Sequence, residues 1–99
     1  MVLTLKEEAK KFLADVPDEY VFRCSDGRIL KNMQELKDAL ANMTDDTFSY
    51  HSSIEKKDFS NWVRDVIGDE KLADELATAT SKFQATVLVA ARVILLTGK

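Results

Sequence analysis

Apolar residues recur along this chain with two periods, and the switches between periods mark its elements. Ala9, Phe12, Leu13 and Val16 follow Leu5 at helical spacing. Thr4 and Glu7 stand three apart, the capping-box arrangement in which each side chain satisfies a free backbone N–H. Pro17 sets the end, because a proline pushes the residue before it out of the α region. The period then falls to two: Tyr20, Phe22 and Cys24 alternate with Val21 and Arg23. Asp26–Gly27 is a dipeptide suited to the positive φ angles of a tight turn, and Arg28, Ile29 and Leu30 return as a second strand. A lone hairpin is marginally stable, so this one has to lie on helices.

The helical period resumes after Asn32, which caps a helix with Glu35 three residues on. Met33, Leu36, Leu40 and Met43 form its buried stripe, and Ala39 lets a neighbour approach closely. Thr44 caps a short helix, DDTFSYHS, whose Asp45 and Asp46 suit the positive end of the helix dipole and whose Phe48 faces inward. SIEKK reads as a polar connector. Asp58 is placed as the next cap, and Phe59, Trp62, Val63, Val66 and Ile67 fall on one face. Gly68 supplies the left-handed residue that ends this helix, and Asp69 caps the next, which buries Leu72, Ala73 and Leu76. The acids of this stretch thus read as caps and solvated faces.

A last helix runs from about Ser81 to Leu96 and ends at Thr97–Gly98. It is apolar nearly all round, with Phe83, Val87 to Ala91 and Val93 to Leu96 broken only by Arg92. Such a helix is either central to a core or shared with a partner. A small domain cannot easily surround a central helix, so a homo-oligomeric contact through it stands beside ordinary surface exposure. The pattern specifies a predominantly α-helical α+β fold: an N-terminal helix, one β-hairpin, then four to five helices. It reads as a single domain over 1–99, with the apolar C-terminal helix over 80–97.

Composition narrows the function. The chain has 99 residues, 45% apolar and 31% charged, with three Gly and one Pro, the profile of a globular domain without linkers or low-complexity tracts. The net charge is −3 and no basic cluster exceeds Lys10–Lys11 and Lys56–Lys57. Phosphate neutralisation dominates nucleic-acid binding, so that function is disfavoured. A single Cys and a single His cannot form a disulfide or a structural zinc site, which suits a reducing cytoplasm. The first residues lack the apolar core of a signal peptide, and the apolar tail falls short of the roughly 20 residues of a membrane span.

Candidate chemistry is sparse. His51 beside Tyr50 is the one side chain suited to acid–base work near neutrality, and Cys24 is the one thiol. A Cys24–His51 dyad would need the fold to bring them together, and no catalytic signature surrounds either. The plainer reading is a packed histidine and a small apolar thiol. DVIGDEKLADEL lacks the alternating oxygen ligands of a calcium loop. Helix, Gly corner, helix evokes a DNA-binding pair, but the second helix, EKLADELATA, would repel phosphate. Trp62 reads either as a core anchor whose indole N–H finds a carbonyl or as a hot spot for a partner, and its place in the apolar stripe favours the core. Arg64 and Asp65 point away from that stripe.

The string F…DGRILKNMQELKDALANM…TFSYHSS…KKDFSNWVRDVIGDEKLA resembles a small, mainly archaeal family classed as a domain of unknown function. The shared pattern falls on Phe22, Asp26, Gly27, Leu36, Leu40, Met43, Phe48, His51, Asp58, Phe59, Trp62, Asp65, Gly68, Asp69, Leu72 and Ala73, within residues 20–76. Its most specific part is DF-x-NW-x-RD-x-x-GD-x-x-LA. Members occur alone and appended to larger proteins, so the resemblance implies a modular interaction unit and brings no activity. These readings lead to a non-enzymatic protein-interaction or adaptor module without cofactor or metal, with an unidentified protein partner and a candidate surface at Tyr50, His51, Trp62, Arg64 and Asp65. The alternatives are a redox or hydrolase-like activity on Cys24 and His51, and weak nucleic-acid association.

Overall fold

The architecture was obtained as a computed structural model, which describes residues 5–53 and 56–98. Helix α1 spans Leu5–Phe12 and stops short of the predicted Val16, with Phe12 buried. The Val16 N–H instead donates to the Lys31 carbonyl (2.7 Å), tying the chain before Pro17 to the segment after the hairpin. Thr4, the expected cap, lies outside the described residues. A single 3-10 turn, Asp18–Tyr20, leads into the hairpin.

Strands β1 (Phe22–Arg23) and β2 (Ile29–Leu30) pair antiparallel, Phe22 with Leu30 and Arg23 with Ile29. The Cys24 N–H bonds the Arg28 carbonyl, so three residues close the loop rather than the two that the Asp–Gly signal implied. Gly27 alone takes positive φ, at 96°. A type I turn followed by one left-handed residue accounts for this, since it matches the twist of the strands with a single positive φ.

Helix α2 (Met33–Asn42) is capped as expected: Asn32 Oδ1 accepts from the Glu35 N–H, and Glu35 Oε1 accepts from the Lys31 N–H. Met33, Leu36, Ala39 and Leu40 are buried. Thr44 caps α3 (Asp45–His51) through the Thr47 N–H, and Phe48 faces the core. Of the SIEKK connector, Ile54 and Glu55 lie outside the described residues.

Helix α4 is Asp58–Trp62, and its cap corrects the sequence reading. The N-cap is Lys57, left-handed at φ 43°, while Asp58 is the first helical residue and spends its carboxylate elsewhere. After Trp62 the chain widens into a π turn over Val63–Ile67, closed by Gly68 and Asp69 N–H groups that both reach the Val63 carbonyl. That extra residue keeps Val63 and Ile67 buried and delivers Gly68 at φ 91° to the corner. Asp69 caps α5 (Glu70–Ala77) through the Leu72 N–H.

Helix α6 (Lys82–Thr97) has Ser81 as N-cap and Gly98 as its left-handed C-cap. It packs chiefly on α2, and also on α5 and α1. Ala85, Val89, Arg92, Val93 and Leu96 form its buried side. The helix is therefore not central to the core but has one buried face and one exposed face. Among the described residues 67% are helical, in six α-helices and short turns, with one two-stranded hairpin, a helical α+β domain.

Candidate functional site

His51 ends α3 and lies 5% exposed against the aromatic cluster of the core. Its ring meets Phe22 at 5.2 Å and Phe59 at 5.4 Å between centroids, and Phe22 in turn meets Trp62 at 5.8 Å. The Ser25 backbone N–H donates to Nε2 (2.9 Å), so that nitrogen carries a lone pair and no proton. Nδ1 therefore holds the hydrogen and donates it to Asp58 Oδ2, also at 2.9 Å. This network joins the hairpin loop, α3 and the start of α4, and it explains why Asp58 is not the α4 cap. Both ring nitrogens are engaged, so neither is free to take a proton from a nucleophile.

Cys24 is buried beside the same loop. Burial pushes its thiol above the usual 9.0, and a hydrogen bond from the thiol to the Asp26 carboxylate adds to the shift against the opposing pull of nearby backbone N–H groups. A nucleophilic cysteine needs the reverse, a stabilised thiolate. The fold does bring Cys24 and His51 to one loop, through Ser25, but it gives the imidazole to a backbone amide.

The remaining sequence-selected residues separate. Trp62 is 7% exposed and its indole N–H donates to the Tyr20 carbonyl (2.8 Å), the anchor that the apolar stripe implied. Arg64 is half-buried and pairs with Asp74 across the corner (3.1 Å), and Asp65 is exposed. Tyr50 is 56% exposed, with the Lys56 ammonium 3.9 Å over its ring. His51 and Trp62 are thus interior, and Tyr50, Arg64 and Asp65 are the members of this set that reach solvent.

One charged centre escaped the sequence reading. Arg92 reaches from α6 to Asp69, with Nε 2.7 Å from Oδ2 and Nη2 3.2 Å from Oδ1, and Nη2 also lies 3.4 Å from Glu8 Oε2. Asp69 is 1% exposed and Arg92 9%. Burial disfavours the guanidinium charge, yet the bonds and charge of Asp69, backed by Glu8 and Glu75, outweigh it and hold the Arg92 pKa above its ordinary value. Asp69 thus does two jobs, capping α5 and pinning α6. The sequence signal was the interruption of the apolar run at Arg92, a buried-face position that demands a counter-ion.

A half-open cleft of about 790 Å³ lies between α3, α4 and the α5–α6 connection. Phe48, Phe59, Leu76 and Ala85 contribute apolar wall, and hydroxyls such as Ser52 and Thr80 with Lys57 and Lys82 contribute polar wall. Its lining includes neither His51 nor Cys24; its ionisable groups are Asp45, Lys57 and Lys82. Among the described residues no group of three or more His, Cys, Asp or Glu side chains could hold a metal ion.

The most conspicuous surface feature is the outward side of α6. Phe83 is 77% exposed, Ile94 54%, Val87 and Leu95 48% each, all on the side away from α2. The two small side chains Ala90 and Ala91 fall in the same stretch. Every described charged side chain of α6 other than Lys82 is drawn inward, because the one remaining is Arg92.

Comparison with protein-family models, with curated proteins and with solved structures finds no match. The positions of the expected family pattern are largely interior: Phe22, Leu36, Leu40, Met43, Phe48, His51, Phe59, Trp62, Asp69, Leu72 and Ala73 are all buried. A pattern so placed speaks to the fold.

Proposed function

We propose that the protein is a non-enzymatic interaction module whose working surface is the outward side of α6. The observation that carries this reading is the run of large, exposed apolar side chains at Phe83, Val87, Ile94 and Leu95 on an otherwise well-packed helix. Contiguous apolar patches of a few hundred Å² on a small soluble domain are commonly interaction sites. The groups with reactive potential are occupied: His51 by Ser25 and Asp58, Arg92 by Asp69, and the Cys24 thiol by its buried place beside Asp26. The resemblance to a family found both alone and appended to larger proteins supports the same modular reading.

A photo-cross-linking side chain introduced at Val87 tests it in cells, with the same group at exposed Lys71 of α5 as control. The reading expects protein adducts from position 87 that are absent from position 71. Equal labelling at both positions, or none at 87, would sink it.

A further inference from the structure

We infer that a second copy of the chain fills this surface, its α6 running antiparallel across a two-fold axis near Leu88 and Val89. The inference rests on α6 being the working surface and goes further by naming the occupant. Phe83, Val87, Ala90 and Ile94 are spaced four, three and four residues apart, the spacing of a coiled-coil seam. Laid antiparallel about that axis, Phe83 meets Ile94 of the second copy, and Val87 meets Ala90. Every layer closes under the same operation, as an isologous interface requires. Bulky pairs sit at both ends and a Val–Ala pair on either side of the axis, so the small residues let the helices approach at the centre.

Charge selects the same occupant. The seam carries no acid or base, so it offers nothing to a charged partner and costs nothing against itself. Antiparallel packing also sets the α6 N-terminus and Lys82 beside the carbonyl end of the other helix, where a cation is favoured; parallel packing would set like ends together. The seam's three large side chains, Phe83, Val87 and Ile94, each about half or more exposed, present roughly 300 Å² of apolar surface, taking about 150–250 Å² for each whole side chain, and Leu95 adds to the rim. Two copies with their rims then reach the low end of specific interfaces, which implies a dimer with a dissociation constant on the order of micromolar or weaker.

Sedimentation equilibrium of the intact chain, from about 10 µM to 1 mM, reads the association. The expected result is a molar mass rising from 11.2 kDa toward twice that value. Val87→Glu should hold the mass at the monomer value throughout, with an unchanged circular-dichroism melt; Ile94→Lys serves as an independent second disruption. A wild-type chain that stays monomeric at 1 mM overturns the inference, and adducts with a different protein at position 87 would then still uphold the interaction module. Orientation is read by oxidising a mixture of Phe83→Cys and Ile94→Cys chains. The antiparallel pair yields the mixed disulfide and little from Phe83→Cys alone, whereas efficient self-linking of Phe83→Cys contradicts the geometry.

Discussion

At position 51 one imidazole accepts from a hairpin amide and donates to a helix-start carboxylate, and this bonding dictates its protonation. The neutral Nδ1–H tautomer is the form that serves both partners, because a proton on Nε2 would face the Ser25 N–H. Nitrogen-15 chemical shifts of the ring at mildly alkaline pH should report that tautomer, and a dominant Nε2–H form would contradict the network. His51→Ala removes one bond from each partner and empties the ring's buried place against Phe22 and Phe59, so it should cost about 2–4 kcal/mol in chemical denaturation. Asp58→Asn, whose side chain is 30% exposed, should cost less. Cys24 makes a second test at this scale. Its folded pKa is raised, so the neutral thiol's contribution to stability is full below the ordinary value of 9.0 and is lost as pH climbs through the folded value. Alkylation of the native protein should accordingly stay slow through pH 9 and accelerate only above it, while the unfolded chain reacts normally. Rapid alkylation of the folded protein at pH 7 would reinstate a reactive thiol.

Local signals and cross-element contacts were unequally visible at the level of elements. Asn32, Thr44 and Asp69 each cap the helix that the sequence assigned to them, and Gly68 and Gly98 end theirs, because a cap acts within three residues of itself. The partner of Arg92 is 23 residues away on another helix, and no periodicity links the two. Asp58 misled for the same reason: as a cap it obeys a local rule, but a buried imidazole brought in by α3 competes for its carboxylate and wins. The π turn was equally hidden, since the apolar spacing from Phe59 to Ile67 fits a plain helix. The Asp69–Arg92 pair carries the prediction for this scale. Asp69→Asn retains an α5 cap but leaves the buried guanidinium only its longer contact to Glu8, and Arg92→Met strands the carboxylate; each should cost about 3–5 kcal/mol. The double variant should be more stable than either single one, because no charge remains buried alone. Additive losses in urea denaturation would mean that the pair is not coupled.

Across the whole molecule, one apolar core extends from Phe12 to Leu96 and the radius of gyration is 12.7 Å, close to the ~13 Å expected for a compact chain of this size. Among the described residues no helix is long and apolar enough to cross a membrane. Among the described residues every buried side-chain N or O atom has a hydrogen-bond partner. Interior side-chain polarity is thus committed, and the outward side of α6 carries four of the seven large hydrophobic side chains that are exposed among the described residues. Stability and association should therefore separate along this helix. Val87→Glu should change folding stability by no more than about 0.5 kcal/mol, whereas Val89→Ala, two residues on and fully buried on the opposite side of the helix, should cost about 1–2 kcal/mol without altering the seam. The most direct test of the account is a concentration series of amide NMR spectra on the unmodified chain. It predicts shift changes that grow with concentration and cluster between Phe83 and Leu95, with the Ser25, His51 and Asp58 signals unmoved. Spectra that do not change with concentration, or changes centred on the His51 network or the α3–α5 cleft, would contradict it.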